Sequence, residues 1–374
     1  MFATEYVRKV SDVQRADWER IYPDDLESYD FFKSLDESGL SQFEFYYILV
    51  HAGRDLVGVA PCFFMKYPLD TSISGGIRRF TNALRRRFPD ILCLKALIAG
   101  LPMGKGQIGL AGDSHGVLEA ILGVMEGIAS DLKAAVIAFK DFDGSYSDLF
   151  SPLLKKGFVR IDSLPSAEMD IPFMDFEGYM KTLSGATRYD LRRKFKKVDG
   201  NVKIDLEITG APAERDLSEM YKLYLGMVEE HEMGFEVVPE AFFRNVAKNM
   251  PEEARFFFWK MDGKVVAFLF SLVSGDVIND YYLGLDYSVA RDYHLYFVKF
   301  RDVMNWCLSR GIKRYIMGVT GYEPKRRLGF DFVPLYIYVK FRNRALRPVM
   351  NLLVKLLNFE NFDPELKKIK EKVS

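Results

Sequence analysis

A strand in the last third of the chain carries ionisable side chains that could exchange protons with a substrate. The apolar segment 277–285 contains Asp280, although acidic residues are depleted in strands. Tyr282, two positions later, shares its face in a regular strand, and Glu323 follows the next predicted strand. A positioned carboxylate can act as a general base and a phenol as an acid. Asp280, Tyr282 and Glu323 are therefore candidate catalytic residues, and a packing role for the tyrosine is the alternative interpretation.

A second group of candidates surrounds two histidines. Residues 229–232 read EEHE after a predicted helix, so that Glu230 adjoins His231 in a run with three carboxylates. Nearby negative charge raises the basicity of an imidazole. His294 begins another predicted helix. Glu230, His231 and His294 are further candidates for proton transfer, and a polar helix end is the alternative interpretation of the EEHE run.

Anionic groups have candidate partners in a basic helix. The segment TRYDLRRKFKK at 187–197 places Arg188, Arg192 and Arg193 within two turns. Clustered guanidinium groups bind phosphates through paired hydrogen bonds. The segment therefore predicts a site for an anionic donor, or alternatively a solvated helix face.

The elements that must position these side chains occur twice. Residues 43–66 and 254–274 each contain an aromatic-rich strand, a polar turn with glycine and a second apolar strand, which predicts two β-hairpins. Each hairpin is followed by a helix, a short apolar strand and a basic tract ending in Gly-Phe, at 155–158 and 326–330. A repeat of this length indicates a duplicated domain.

Domain boundaries follow from the two copies. We predict domains over 1–165 and 176–343, with a linker in 164–175 where two prolines interrupt the periodicity. Between its turn glycine and its Gly-Phe, the first copy is about 38 residues longer than the second, which predicts an insertion at about 67–105. Residues 344–374 are expected to form an amphipathic helical tail.

The repeated element order resembles that of acyltransferases of the GNAT superfamily. Residues 278–343 are similar to the C-terminal domain of Fem-like and other tandem GNAT N-acyltransferases. The positions that carry this similarity are Gly284, Gly318, Lys325 and Gly329. The resemblance implies an α/β fold with mixed sheets, built from tandem duplicated GNAT-like domains.

The resemblance also implies a reaction class, acyl transfer to an amine. The amine must lose a proton to a base, and the tetrahedral oxyanion needs donors, which this fold supplies as backbone N–H groups at a splayed strand. Under this interpretation the base is Asp280, the Glu230–His231 pair or Glu323. The donor would dock where His294 and Tyr296 begin a helix.

The phosphate-binding signature departs from the superfamily pattern. Simple GNAT enzymes hold the cofactor pyrophosphate in an Arg/Gln-x-x-Gly-x-Gly/Ala loop, whereas the stretch 288–297 has no glycine. We therefore assign the donor, with acyl-CoA as the expected co-substrate, to other side chains. These are Arg188, Arg192, Arg193, Tyr296 and Lys325.

Composition and motif spacing argue against several classes of protein. Basic and acidic residues balance at 52 each, whereas a general nucleic-acid binder is expected to be basic. The three cysteines lie apart in apolar surroundings without metal-ligand spacing, so neither a disulfide nor a metal site is expected. No apolar run approaches about 18 residues and the N-terminus lacks a signal-peptide core, which predicts a cytoplasmic protein without a membrane span.

Two segments outside the repeated elements are amphipathic and basic. In 77–91 an apolar stripe is flanked by five arginines, and in 345–358 a leucine-rich stripe opposes Arg, Lys and Asn. Helices of this kind suit an anionic membrane surface, and packing of each stripe against the protein is the alternative. We expect peripheral association with a membrane.

Three functions are compatible with these features. The leading hypothesis is transfer of an acyl group, expected to be long, from acyl-CoA to a small-molecule or lipid amine, as in bacterial ceramide synthases that acylate a sphingoid amine. The second is Fem-like transfer from aminoacyl-tRNA in cell-wall or lipid modification, which zero net charge disfavours because tRNA binding is driven by cationic surface. The third is a non-catalytic relative that binds a lipid or peptide.

Membrane association can be tested by vesicle flotation. We expect the protein to bind anionic vesicles, with binding weakened but not abolished by high salt, because salt screens the charges but not the apolar contacts. Changing Arg85, Arg86 and Arg87 to glutamate should remove most of the salt-sensitive part. A protein that ignores anionic vesicles at low salt would contradict the prediction, and neutral vesicles provide the control.

Overall fold

The computed structural model describes residues 2–22, 26–68, 93–230 and 236–343, together with Ala345 and Pro348. Both amphipathic segments, the predicted C-terminal tail and His231 lie outside the described residues, apart from those two single positions. The strands are β1 (Phe2–Val7), β2 (Glu44–Ala52), β3 (Asp55–Pro68), β4 (Cys93–Ala99), β5 (Gly109–Leu110), β6 (Val136–Asp143), β7 (Val159–Asp162), β8 (Ser166–Asp170), β9 (Asp205–Thr209), β10 (Ala254–Met261), β11 (Lys264–Ser274), β12 (Val277–Leu285), β13 (Arg314–Gly318), β14 (Asp331–Val333) and β15 (Leu335–Phe341).

The helices alternate with these strands in the manner expected of an α/β protein. They are α1 (Arg15–Ile21), α2 (Tyr29–Asp36), α3 (Ser114–Asp131), α4 (Ser147–Lys155), α5 (Phe176–Thr182), α6 (Gly185–Asp199), α7 (Glu214–Glu230), α8 (Glu240–Asn249), α9 (Tyr287–Ala290), α10 (Leu295–Arg310) and α11 (Tyr322–Arg327). None of the described helices combines the length and apolar character that crossing a bilayer requires.

Two mixed sheets organise the chain into two compact units. The first unit has the strand order β1-β2-β3-β4-β6-β15-β7, with β5 beside β3, and the second has β14-β8-β13-β12-β11-β10-β9. The predicted hairpins are β2–β3 and β10–β11, each antiparallel and each in its own sheet. The predicted α/β class with mixed sheets, and the occurrence of one predicted hairpin in each of two sheets, are confirmed.

The units do not follow the predicted boundaries, because strands near the middle and end of the chain change sheets. The first unit comprises the described residues within 1–22, 41–163 and 334–362, and the second those within 23–40, 164–333 and 363–374. β15, expected in the C-terminal domain, pairs with β6 and β7 of the first sheet.

The expected linker is also a strand of the second sheet. β8 pairs with β13 and β14. Pro165 and Pro172 stand outside its ends rather than within it, where a missing N–H costs no ladder hydrogen bond. Residues 166–170 of the predicted linker therefore belong to the second sheet.

The predicted insertion is shorter than expected. Residues 93–99, assigned to it from the sequence, are β4, which pairs with β3 on one side and runs parallel to β6 on the other. The apolar segment Leu94-Lys95-Ala96-Leu97-Ile98 is thus sheet interior. Residues 69–92 lie outside the described part of the chain.

In the first unit, helix α3 covers one face of the sheet. Its apolar stripe, which includes Val117, Ile121 and Met125, is fully buried. Asp113 accepts a hydrogen bond from the Gly116 N–H, as expected of a helix cap. The cap and the apolar stripe together fix this helix on the sheet.

A glycine-rich segment of the first unit lies against the end of β6. The Gly106 N–H donates to the Asp141 carbonyl at 2.9 Å. A Cβ atom at Gly106 would lie 2.1 Å from the Lys140 carbonyl oxygen, so only glycine fits this backbone contact. The segment therefore packs on the protein itself instead of cradling a phosphate.

The close approach at Gly106 predicts a measurable stability effect. Gly106→Ala should lower the free energy of unfolding by about 1–3 kcal/mol, since backbone rather than a flexible side chain must move. Gly123→Ala is the matched control, because Gly123 lies on an exposed face of α3 with no atom near an added Cβ. That change should stabilise by about 0.5–1 kcal/mol. Equal effects in urea denaturation would contradict the packing described.

Candidate active site

The site begins where two parallel strands of the second sheet part. β12 and β13 pair from Val277 opposite Arg314 to Asn279 opposite Ile316, and pairing then stops although both strands continue. Gly318, at the end of β13, has φ +63°, which turns the chain away. Beyond Asn279 and Ile316, the backbone edges that face each other take no part in this ladder.

Lys325 lies at the carboxyl end of β13. It belongs to the short helix α11 and is only 6% exposed. Its Nζ donates to the carbonyl oxygens of Met317 (2.8 Å), Gly318 (3.2 Å) and Val319 (3.2 Å). Burial, assisted by the charge of Lys299 and opposed by Asp280, lowers the pKa of Lys325 to about 7. The three carbonyls accept hydrogen bonds from the charged form and so favour it, whereas burial opposes it.

Asp280 is the centre of a buried polar cluster beside this point. Its carboxylate accepts hydrogen bonds from Ser271 Oγ (2.8 Å) and Tyr315 Oη (2.7 Å), and pairs with Lys299 Nζ (3.1 Å). The side chains of Lys299 and Asp280 are 1% and 7% exposed. With three donors already on its oxygens, the carboxylate is poorly placed to take a proton from a substrate. In this arrangement the Asp280 carboxylate accepts from donors of β11, β13 and α10.

Tyr282 does not share the face of Asp280, and the expectation that it does is wrong. In the pairing of β11 with β12, Ser271 lies opposite Asp280, and the preceding residue Phe270 lies opposite Tyr282. Tyr281 therefore has no opposite residue in β11 and forms a β-bulge. Such a bulge reverses the alternation of side chains. The Tyr282 ring packs against Tyr224 and Phe243, on the other face of the sheet.

Glu230 and Glu323 lie in other surroundings. Glu230 ends α7, and its charge adds to the burial that raises the pKa of Tyr287. Glu323 lies in the first turn of α11, two residues before Lys325, and pairs with Arg326 at 3.0 Å. The cluster around Asp280 is thus formed without these two carboxylates.

The basic helix predicted from 187–197 is α6, and its arginines have partners within the protein. Arg188 donates to the Leu183 carbonyl at 2.5 Å and closes the end of α5. Arg192 pairs with Glu177, and Arg193 with Asp190 at 2.9 Å. Asp190 is also held by Lys194 and Arg327, and these cations hold its pKa well below the usual range. Donor binding by the three arginines would require exchange of these contacts.

His294 and Tyr296 lie at the start of α10, as the sequence predicts. His294 is the residue before the helix and has φ +50°. Burial, with the charges of Lys197 and Lys194, lowers its pKa. The Tyr296 ring contacts Phe297 and lies 5.6 Å from Lys299 Nζ.

Sequence reasoning missed Lys299, Tyr315 and Ser271. One signal was present for the lysine: it stands in the apolar stripe of α10, with buried Leu295 one turn before and Val303 one turn after. Buried lysines are rare unless they are paired. No metal cluster of three His, Cys, Asp or Glu side chains occurs among the residues that the structure describes.

The lowered pKa of His294 predicts a pH-dependent stability. Because the unfolded chain binds the proton more readily, stability is full above about pH 6.5 and falls as the pH drops below that value. His294→Asn removes the titration and tolerates positive φ. Between pH 7 and 5, the free energy of unfolding should fall less in this variant than in the parent. Parallel urea-denaturation curves across this range would contradict the prediction.

Comparisons with known proteins agree with this architecture. The family model described as "Acetyltransferase (GNAT) domain" matches residues 185–326. A protein of Mycobacterium tuberculosis (strain CDC 1551 / Oshkosh), named putative 8-amino-7-oxononanoate synthase 2, is 22% identical over 331 residues, which are 83% of this chain and 42% of that protein. The chain thus spans less than half of that curated relative.

Three solved structures show the same fold over almost the whole chain. FemX has a TM-score of 0.60 at 13% identity, covering 93% of this chain and 100% of its own. The C-terminal domain of a putative lysylphosphatidylglycerol synthetase from Agrobacterium fabrum has a TM-score of 0.55 at 14% identity, and the match covers 92% of this chain and 96% of that one. A tandem GNAT protein from the clavulanic acid biosynthesis pathway has a TM-score of 0.52 at 8% identity, and the match covers 91% of this chain and 98% of that one. Residues 185–326 thus match a GNAT acetyltransferase domain, and the chain has the fold of FemX and of a tandem GNAT protein.

Proposed function

We propose that the chain transfers an acyl group from an activated carboxyl donor to a primary amine, at the gap between β12 and β13, with Lys325 as the base. The observation that carries this proposal is the buried amine of Lys325 at the open end of the parted strands, with a pKa of about 7. A general base is most effective when its pKa lies near the working pH. Neither Asp280, which has three donors, nor the paired Glu323 offers a comparable group.

The chemistry would proceed by addition and elimination. The amine nitrogen attacks the donor carbonyl carbon, and its proton passes to neutral Lys325. Backbone N–H groups on the unpaired strand edges stabilise the negative oxygen of the tetrahedral intermediate. Collapse of the intermediate then breaks the bond to the leaving thiolate or alkoxide. Lys325 returns the proton to that group, which leaves an amide and a free thiol or hydroxyl.

An acyl thioester, expected to be long-chain acyl-CoA, is the leading donor. The match of residues 185–326 to an acetyltransferase domain supports it. An aminoacyl-tRNA donor is the second candidate. It is favoured by the absence of glycine from 288–297, and by the likeness in fold to FemX and to a protein named as a lysylphosphatidylglycerol synthetase.

The acceptor we favour is a lipid amine, possessing an apolar chain such as that of a sphingoid base, at a membrane surface. The support for this is sequence-based: the basic amphipathic segments 77–91 and 345–358 would bring the protein to an anionic interface. A water-soluble amine is the alternative acceptor. Parallel assays with amines of different chain length, with and without vesicles, would separate the two.

Substitution of Lys325 tests the assignment. Lys325→Met should lower kcat by about 10²–10⁴-fold, because the base is lost. Lys325→Arg should be similarly impaired, since a guanidinium keeps the charge but does not give up its proton near neutral pH. In the parent, kcat/KM should rise with pH through about pH 7 as Lys325 loses its proton. Amide formation is followed by mass spectrometry, with acyl-CoA and aminoacyl-tRNA supplied separately.

Lys260→Met is the matched control. Lys260 belongs to the same unit and pairs with Asp216 at 2.9 Å through a largely buried side chain. The Lys260→Met variant should retain activity if Lys325→Met loses activity because the base is missing. An active Lys325→Arg variant would assign Lys325 as a cation that stabilises the oxyanion, and not as a base. Amide formation from neither donor would favour a non-catalytic binding protein.

A further inference from the structure

Helix α6 has a basic face that solvent reaches. Arg192, Arg193, Lys196 and Lys197 are all exposed, and their spacing places them on one side of the helix. The two arginines pair with carboxylates of α5 and α6. Neither Lys196 nor Lys197 forms an ion pair with any residue that the structure describes. Because these two cations neutralise no described carboxylate of the chain, they can bind an anionic partner without breaking an internal contact.

Two large side chains with apolar surface adjoin this face. Tyr189 is 74% exposed and lies one turn before Arg192 and Arg193. Met174 is 95% exposed and precedes α5. Since Glu177, in the first turn of α5, pairs with Arg192, this end of α5 lies beside the middle of α6. An exposed ring and a thioether next to cations suit a membrane interface, where the rings lie at the level of the head groups.

Contacts hold α6 against the two helices that follow the parted strands. Arg327 of α11 donates to Asp190 at 2.8 Å, and Arg301 of α10 donates to Asp199 at 3.0 Å. Helix α11 also carries Lys325. The basic face therefore belongs to a helix that is tied directly to the element holding the proposed base.

We propose that the exposed face of α6, together with Tyr189 and Met174, docks on an anionic lipid surface and so presents the gap between β12 and β13 to an acceptor held in that surface. The part that concerns the acceptor rests on the proposed function, whereas docking itself requires no acyl transfer. Lys196 and Lys197 would contact lipid phosphates, and the side chains of Tyr189 and Met174 would enter the interface.

The apolar component favours lipid over a nucleic acid as the occupant. Cations attract the phosphates of both partners. A methionine that is almost fully exposed to water gains free energy by entering a lipid interface, because apolar surface is removed from water. A phosphodiester backbone provides no such apolar medium. Binding to tRNA is therefore a competing outcome that the experiment must separate from docking on lipid.

Reversal of the two unpaired charges tests the electrostatic part. Lys196→Glu/Lys197→Glu should lower the partition constant on phosphatidylglycerol–phosphatidylcholine vesicles at least about ten-fold, because each basic residue near an anionic surface contributes about five-fold. Partitioning is measured by flotation of the full chain at low salt. Segments 77–91 and 345–358 are the same in every variant, so the difference reports α6 alone.

Lys222→Glu/Lys248→Glu is the matched control. Both lysines are exposed, on α7 and α8, and these helices pack on the other face of the second sheet. The net charge changes equally, but these positions do not face the docked surface. Binding should therefore stay within about two-fold of the parent, since salt screens distant charges. An equal loss in both double variants would overturn the proposal.

A fluorescent label tests whether Met174 enters the lipid. Met174→Cys carrying a polarity-sensitive fluorophore should shift its emission to shorter wavelength when anionic vesicles are added. Leu225→Cys, on α7, is the control position and should show no shift. The parent chain, labelled in the same way, gives the contribution of the native cysteines. No shift at position 174, or equal shifts at both positions, would overturn the proposal.

The remaining outcomes separate docking from the proposed reaction. Lys325→Met should float like the parent, so docking can be supported even if the chain transfers no acyl group. Unchanged vesicle binding in Lys196→Glu/Lys197→Glu overturns the inference, whereas amide formation with a water-soluble amine would leave the proposed reaction intact. If the same variant loses binding to tRNA and keeps its binding to vesicles, the face is an RNA-binding surface and the proposal is wrong.

Discussion

In the second unit, much depends on the parting of β12 from β13 after three paired positions. Beyond Asn279 and Ile316 the two strands continue without pairing to each other, so backbone groups that a continuous sheet would use remain outside this ladder. Under the proposed function, a substrate carbonyl would meet N–H donors there. Other features maintain this opening. Gly318 turns the chain at the end of β13, α11 brings Lys325 to three carbonyls around this turn, and the bulge at Tyr281 separates the face of Asp280 from that of Tyr282.

Ionisable side chains are buried beside the point where β12 and β13 part. Placing an amine among carbonyl oxygens under an apolar core makes its protonation sensitive to every nearby charge, because screening is weak there. Lys299 and Asp280 are the nearby charges, and they are themselves closed off by Ser271 and Tyr315. A buried amine of this kind is what the proposed acylation of an amine requires as its base.

The first unit also contains a mixed sheet with a parallel pair of strands, but the end of that pair differs from the end of β12 and β13. β4 and β6 run parallel from Ala96 opposite Val136 to Ala99 opposite Phe139. Just beyond this pairing, Gly106 lies on the Lys140 and Asp141 backbone, so the chain fills the space with its own glycine-rich segment. The same topology thus supports an open gap in one unit and a packed loop in the other. Comparison of Gly106 with Gly318 shows the difference: one glycine admits backbone contact, the other turns a strand end.

Much of the local structure could be predicted from the sequence alone. The pattern of apolar residues gave the strand at 277–285 with the bounds that the structure has, and the two hairpins and the repeat indicated a duplicated GNAT-like unit. These are short-range properties, fixed by residue periodicity and turn chemistry. Of the site, the sequence indicated Asp280 as a candidate base, because an acid in a strand is visible locally. It indicated Lys325 only as a donor-binding residue, through the resemblance to Fem-like acyltransferases.

The tertiary structure determined the strand partners and the long-range side-chain contacts, which residue periodicity does not encode. It placed β15 in the first sheet, since strand partners far apart in sequence are chosen by packing and register. It moved Tyr282 to the opposite face, since one bulged residue reverses an alternation that the sequence presents as unbroken. It also brought Lys299 and Tyr315, 19 and 35 positions from Asp280, onto one carboxylate. The sequence specified which side chains were present; only the folded chain determined which of them were buried together and which partners each of them contacts.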